Sequence, residues 1–151
     1  MNKFLVFCVP LAFIPQAHAD WAYTKWGMTV DQVVAASHGT VTAIPKAQQQ
    51  TLEGAHVVTA AQGTYTEGDL RLRTAFQFDT ENGGLRCILY APQSPSQDTL
   101  LKQSLVQRYG TPQQSSIVSL ETLTWHAPAD DIDMEIVEKE ISAVFHCKGK
   151  T

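Results

Sequence analysis

The side chains best suited to acid–base or metal chemistry are a few histidines and one dense acidic run. The histidines beyond residue 19 are His38, His56, His126 and His146. The acidic run is Asp130-Asp131-Ile132-Asp133, followed by Glu135, Glu138 and Glu140. No two histidines have the spacing of a zinc motif, and the run lacks the glycine turn of a calcium loop. We therefore expect no metal site and no cofactor, and a charged hairpin that blunts a sheet edge explains the acids more simply.

Nucleophilic chemistry finds equally little support. Ser115 and Ser116 lie in no Gly-x-Ser-x-Gly elbow, and the carboxylates of Asp79 and Glu81 fall in a turn where solvation accounts for them. The sequence predicts no catalytic residue and no enzyme. One alternative stays open, which is a small cell-envelope hydrolase whose site combines His126 or His146 with the acidic hairpin.

The first 19 residues have the composition of a secretory signal peptide. A short basic start precedes an apolar run at 4–14, and Ala17-His18-Ala19 resembles a cleavage site. The run has about 11 residues, whereas a transmembrane helix needs roughly 20. We expect cleavage after Ala19, a periplasmic or secreted protein with no membrane span, and one domain over residues 20–151.

Two cysteines, Cys87 and Cys147, remain beyond this segment. In an oxidising compartment a disulfide between them is the default. It would close a loop of about 60 residues and stabilise the fold by roughly 4 kcal/mol. Strand alternation predicts that both point into the core. Free or catalytic thiols are the alternative, although the chain has no Cys-x-x-Cys motif.

Net charge argues against nucleic acid as a partner. Residues 20–151 carry 10 Lys and Arg against 15 Asp and Glu, a formal charge of −5. Phosphate backbones repel such a protein, and no basic run interleaved with aromatic residues offsets the repulsion.

Two helix signals divide the chain into similar halves. Thr29 and Gln32 form a capping box, and Gly39 suits the end of that helix. Ser94, Pro95 and Gln97 predict the second helix start in the same way. Hydrophobic patterns predict strands near 41–44, 56–60, 70–78, 85–89, 117–126, 132–136 and 141–147, with a turn at 63–68. We predict an α+β fold with an antiparallel sheet of about six strands, two helices packed on one face, and pseudo-duplicated halves at 26–92 and 93–149.

The first helix start also carries a family resemblance. Trp26-Gly27-Met28-Thr29-x-x-Gln32-Val33 is similar to the Gly-Met-Thr helix start of small envelope proteins, namely the outer-membrane assembly lipoprotein (SmpA/OmlA-like) and β-lactamase-inhibitor-protein-like group. The resemblance implies two helices followed by antiparallel strands and a binding role without catalytic residues. The chain lacks the lipidated cysteine of the lipoproteins.

A partner-binding surface is predicted on the outer face of the central hairpin. If Phe78 pairs with Leu85, then Arg73 lies opposite Tyr90. The residues expected to gather there are Arg71, Arg73, Arg86 and Tyr90. Arginine and tyrosine are enriched at interface hot spots, although a solvated sheet face is the simpler alternative. The first functional hypothesis is a non-enzymatic protein-binding module, as an inhibitor or immunity protein of unknown oligomeric state; a structural envelope factor is a further alternative.

Overall fold

The computed structural model describes residues 21–150, so the predicted signal peptide lies outside the described residues. The two α-helices are α1 (Val30–Ala36) and α2 (Asp98–Tyr109), and 3₁₀ turns lie at Lys46–Gln48, Glu53–Ala55 and Pro95–Gln97. The strands are β1 (Val41–Ala43), β2 (Gln50–Leu52), β3 (Val57–Glu67), β4 (Leu70–Asp79), β5 (Leu85–Pro92), β6 (Gln113–Ile117), β7 (Leu120–Ala127), β8 (Asp130–Val137) and β9 (Glu140–Lys148). Neither α-helix is long and apolar enough to cross a bilayer.

All these strands belong to one antiparallel sheet, in the order β1-β3-β4-β5-β9-β8-β7-β6, with β2 also paired to β3. The prediction of an α+β fold with about six strands and two packed helices is therefore wrong: the protein is mostly β and its sheet has nine strands. The sheet has two halves that meet where β5 pairs with β9. The strands formed by residues 41–92, which end with β5, make up one half, and those formed by residues 113–148, which end with β9, make up the other.

Two strands were missed because their sequences carry no apolar alternation. β6 has the sequence Gln-Gln-Ser-Ser-Ile and is exposed along its whole length. β2 is likewise exposed throughout. Hydrogen bonding to a neighbouring strand, and not burial, defines both strands, so hydrophobic periodicity could not reveal them.

Most of the turn predicted at 63–68 is instead part of the long strand β3, which ends at Glu67, so only Gly68 of the predicted residues lies in the turn. Gly63 lies within β3 because β1 passes close to it. A Cβ atom added at Gly63 would overlap the Thr40 carbonyl oxygen and lie 2.7 Å from the Val41 Cα. The glycine is required for the approach of two strands, and not for a positive φ angle.

The hydrophobic core lies on one face of the sheet, which we call the inner face. Phe76, Ile88, Met134 and Val144 point to it from four neighbouring strands and are fully buried. Val33 of α1 and both Leu101 and Leu105 of α2 are buried in the same core. The opposite face is the outer face.

Local signals predicted α1 more accurately than α2. In α1 the Thr29 hydroxyl accepts the Gln32 backbone N–H while the Gln32 side chain accepts the Thr29 N–H, which confirms the predicted capping box. Before α2, the side chain of Ser94 caps no backbone group. The Gln97 amide instead donates to the Asp69 carbonyl at 2.8 Å. Asp98 at the start of α2 accepts the Ile141 backbone N–H at 2.7 Å, which fixes the helix to the beginning of β9.

A bulge between β4 and β5 reverses the predicted orientation of the cysteines. Phe78 pairs with Leu85, as predicted, but Gln77 then pairs with Cys87 because the register shifts by one residue. Cys87 and Cys147 are bonded directly across the β5–β9 ladder, with their Cα atoms 4.0 Å apart. The disulfide is confirmed, but both cysteines lie on the outer face and not in the core.

Candidate protein-binding face

The outer face is formed by alternate residues of the central strands, aligned in transverse rows by the strand register. These residues are Arg71, Arg73, Ala75 and Gln77 on β4; Cys87, Leu89 and Ala91 on β5; Ala143, Phe145 and Cys147 on β9; Asp131, Asp133 and Glu135 on β8; and Thr122, Thr124 and His126 on β7. One row crosses the sheet as Ala75, Leu89, Phe145, Asp133 and Thr124. Residues of very different chemistry therefore lie side by side on one surface.

This surface is accessible over most of its area. Both α-helices contribute their buried residues to the inner core, so neither covers the outer face. The residues of β5, β8 and β9 on this face are all partly exposed. Gln77 is the exception, at 5% exposure, and its amide donates to the Thr59 hydroxyl at 3.4 Å. Most of the sheet surface can thus be reached by another molecule.

Charges of opposite sign occupy opposite sides of this face. Arg71 and Arg73 on β4 are exposed, whereas Asp131, Asp133 and Glu135 on β8 form a stripe of three carboxylates. Since β5 and β9 separate β4 from β8, three strand spacings put the two charged stripes about 14 Å apart. A partner that meets both stripes must present complementary charges at a similar separation.

The strip between the charges is apolar. Leu89 and Phe145 are directly paired across the β5–β9 ladder, and Ala75 pairs with Leu89 on the other side. A shallow depression of about 210 Å³ lies over Arg73, Leu89, Ala91 and Ala143, among other residues. A charged rim around an apolar centre that contains an aromatic residue is the usual anatomy of a protein interface.

The structure separates the predicted binding residues. Arg71 and Arg73 lie on the outer face, but Tyr90 pairs with Thr74 and points to the inner face. Tyr90 is only 3% exposed and its ring stacks on Trp21 with the centroids 5.2 Å apart. The prediction that Arg73 faces Tyr90 is wrong, because the bulge places Ala91 opposite Arg73. Burial raises the pKa of the Tyr90 hydroxyl far above its usual range.

Arg86 lies at the far end of the hairpin and is already engaged. Its guanidinium lies 3.5 Å from an Asp79 carboxylate oxygen and donates to the Ala55 carbonyl at 3.4 Å. Backbone N–H groups of Glu81 and Asn82 donate to the same carboxylate, and these bonds, more than the arginine, hold the Asp79 pKa below its usual value. Arg86 thus joins the β4–β5 connection to its surroundings, away from Arg71 and Arg73.

The outer face also carries a histidine–carboxylate pair. His126 and Asp131 are opposite each other on β7 and β8, and Nδ1 lies 2.9 Å from Oδ1. The histidine side chain is 60% exposed, so its other ring nitrogen can be reached from solvent. The short connection between the strands, Pro128-Ala129, was the sequence signal that could have paired them. The acidic run lies within the interior strand β8, so the prediction that it blunts an exposed edge is wrong.

His146 belongs to a separate, buried polar cluster. It is 1% exposed, and its Nε2 lies 3.1 Å from Asp130 Oδ1 without the alignment of a good hydrogen bond. The Trp26 indole donates to the same oxygen at 3.2 Å, and the Tyr90 hydroxyl lies 3.5 Å from His146 Nδ1. These contacts join the N-terminal segment to β5, β8 and β9. No substrate can reach His146, so its role in this arrangement is structural.

Within residues 21–150, His, Cys, Asp and Glu side chains form no group of three or more that could hold a metal ion. Comparison of the chain with protein-family models, with curated proteins and with solved structures finds no match. The site is therefore defined by its own geometry alone.

Proposed function

We propose that this chain is a secreted or periplasmic, non-enzymatic protein-binding module that holds its partner against the outer face of the sheet. Inhibition of, or immunity to, a protein that acts on the cell envelope is the role that suits such a module. The observation that carries the proposal is the apolar strip of Leu89 and Phe145 between the arginines of β4 and the carboxylates of β8.

Three physical features support this choice. The β-sheet backbone is rigid, so the partner meets preorganised side chains and little ordering entropy is lost on binding. The aromatic ring of Phe145 is half-buried at the centre, where hot spots occur. The two charged stripes favour one orientation of the partner, since rotation by half a turn would bring like charges together.

Charge reversal at one stripe tests the proposal. Arg73→Glu changes the net charge of the chain by two units on the outer face, and Lys102→Glu makes the same change on the exposed surface of α2. Each tagged variant is used to recover partners from periplasmic extract, and the recovered protein is then titrated against purified chains. We expect Lys102→Glu to bind as the unmodified chain does and Arg73→Glu to bind at least about tenfold more weakly.

If Arg73→Glu and Lys102→Glu bind the partner with equal affinity, Arg73 is not part of the binding surface. The apolar strip has its own test, since Leu89→Glu inserts a charge at its centre and should abolish recovery. If Arg73→Glu and Leu89→Glu both leave the affinity unchanged, the outer face is not the binding site.

The hydrolase alternative keeps one supporting observation, which is the exposed His126–Asp131 pair. A carboxylate that orients a histidine is part of many acid–base sites. Peptidoglycan hydrolysis by the purified chain, lost in His126→Ala and insensitive to Lys102→Glu, would favour this function over the binding module.

A further inference from the structure

A cleft of about 370 Å³ opens at one end of the sheet. It shares no lining residue with the shallow depression over Leu89 on the outer face. Three segments of the chain form its walls, namely the residues before α1, the β4–β5 connection and the end of β9. Gly27, Gly84 and Gly149 each line the cleft from one of these segments.

Backbone contacts fix the first two segments against each other. The Gly27 N–H donates to the Leu85 carbonyl at 2.9 Å, and the Leu85 N–H donates to the Met28 carbonyl at 2.7 Å. A Cβ atom added at Gly84 would lie 3.0 Å from the Gly27 Cα, so the close approach favours glycine. These walls are preorganised, which lowers the ordering cost of holding a ligand between them.

The charged side chains of the cleft are mostly cationic. Arg86, Lys148 and Lys150 line it together with one carboxylate, that of Asp79. Their formal charges add to +2, although residues 20–151 as a whole carry −5. Arg86 and Lys148 each adjoin a cysteine of the disulfide, so the two cations come from neighbouring strands at the same level. Like charges placed in this way cost stability, so stability does not explain the cluster.

The cations keep hydrogen-bond donors for a ligand. Arg86 uses one nitrogen, Nη1, for both of its contacts, with the Ala55 carbonyl and with Asp79. Its Nη2 and Nε make no hydrogen bond to the residues described, and this pair of donors is the fork that binds an oxyanion in a bidentate manner. Lys148 and Lys150 are exposed, and neither forms an ion pair within residues 21–150.

We propose that this cleft binds a small anion with a terminal phosphate, such as pyrophosphate or a compact phosphate monoester. Phosphoryl oxygens point in several directions, so one group can meet cations from different segments, whereas the two oxygens of a carboxylate lie in one plane. Among the described lining residues none is aromatic and only Leu85 is apolar, so a nucleobase would gain little here. This inference does not depend on the proposed function.

Isothermal titration calorimetry of the purified chain with sodium pyrophosphate at low ionic strength tests the site. We expect one saturable site with a Kd of about 1 mM or below, and weaker binding as added salt screens the charges. Succinate, with two carboxylates, should bind at least about fivefold more weakly. Absence of saturable pyrophosphate binding, or tighter binding of succinate, overturns the proposal.

Substitutions of the cations then test the location of the site. Lys148→Gln and Lys150→Gln each remove one charge, and Arg86→Lys keeps the charge but removes the fork. Each should weaken pyrophosphate binding at least about fivefold, with circular dichroism to show that the variant is folded. Lys102→Gln removes a cation from the exposed surface of α2 and should bind as the unmodified chain does. Full affinity in the three cleft variants, or an equal loss in Lys102→Gln, would contradict binding in this cleft.

Vesicles distinguish a soluble ligand from a phosphate on a membrane surface. Phosphatidic acid in phosphatidylcholine vesicles presents a phosphate monoester at the surface of a bilayer. We expect it to sediment no more of the chain than phosphatidylcholine alone does, because an anionic surface repels a chain with a net charge of −5. Sedimentation with phosphatidic acid that is lost in Lys148→Gln, without binding of pyrophosphate, would overturn the assignment of a small soluble ligand.

Discussion

The disulfide joins the two halves of the sheet across a short central ladder. β5 and β9 share four register pairs, from Cys87–Cys147 to Tyr90–Val144, whereas β3 and β4 share ten and β8 and β9 share eight. Replacing both cysteines with alanine removes the only covalent link across this seam within the described residues. Among the ladders of β4, β5, β8 and β9, the β5–β9 pair should therefore become the weakest.

The size of the effect follows from the loop that the bond closes. The cysteines are 60 residues apart, and the chain-entropy model gives about 4 kcal/mol for a loop of this length. Both side chains are partly exposed on the outer face, so alanine leaves no core cavity to add to this cost. For a domain of this size the loss corresponds to a fall in Tm of roughly 12 to 20 °C.

Urea unfolding of the oxidised chain and of the Cys87→Ala/Cys147→Ala variant measures the difference in the free energy of unfolding. Reductant is the internal control, since it should destabilise the unmodified chain and leave the variant unchanged. Mass analysis should show two alkylated cysteines only after reduction. A variant whose free energy of unfolding lies within about 1 kcal/mol of that of the oxidised chain would refute the reasoning, because the disulfide would then constrain little of the unfolded ensemble.

Three further predictions concern backbone strain and buried tyrosine. Gly63→Ala should cost about 2 kcal/mol or more in urea unfolding, because its Cβ would collide with the backbone of β1 near Thr40; Gly54→Ala, with no atom within 4 Å of the added Cβ, should be nearly neutral. Val118→Gly should raise the free energy of unfolding by about 1 kcal/mol, because Val118 has φ 54° and no buried contacts to lose, and lower stability would contradict this. Burial raises the pKa of Tyr90, so its contribution to stability is complete below the ordinary tyrosine pKa of about 10 and falls as the pH rises above it; Tyr90→Phe should reduce this alkaline loss, as measured by unfolding at a series of pH values.

The elements that could be predicted from the sequence are those set by short-range contacts. Thr29 and Gln32 are three residues apart and satisfy each other's backbone, so no distant residue affects the capping box. β4 alternates because its inner positions are apolar apart from Thr74 and its outer positions are polar or small, and this pattern correctly placed Arg71 and Arg73 on the outer face. The predicted capping box at Ser94 does not form, because the Ser94 hydroxyl hydrogen-bonds the Ser96 hydroxyl at 2.8 Å and the Gln97 amide binds a carbonyl 28 residues away.

The orientation of β5 and β9 could not be predicted because both faces of each strand carry apolar residues. Cys87 and Leu89 alternate as regularly as Ile88 and Tyr90, so periodicity does not distinguish the two sets. In β9 the inner residues include His146, a polar residue that is accommodated in the core because Asp130 and Trp26 lie beside it. Buried polar groups depend on such long-range partners.

The Cys87–Cys147 pairing was predicted correctly although the orientation of both cysteines was wrong, and the reason is geometric. Residues directly opposite each other in an antiparallel pair always point to the same face, so reversing both strands moves Cys87 and Cys147 together and preserves their pairing. The predicted pairing of Tyr90 with Arg73 was not preserved in this way. Arg73 lies on β4, across the bulge, so a one-residue shift moved Tyr90 into the core while Arg73 stayed outside. The same shift brought Leu89 to the outer face beside Phe145, so the apolar strip that supports the proposed binding function exists only because of the bulge.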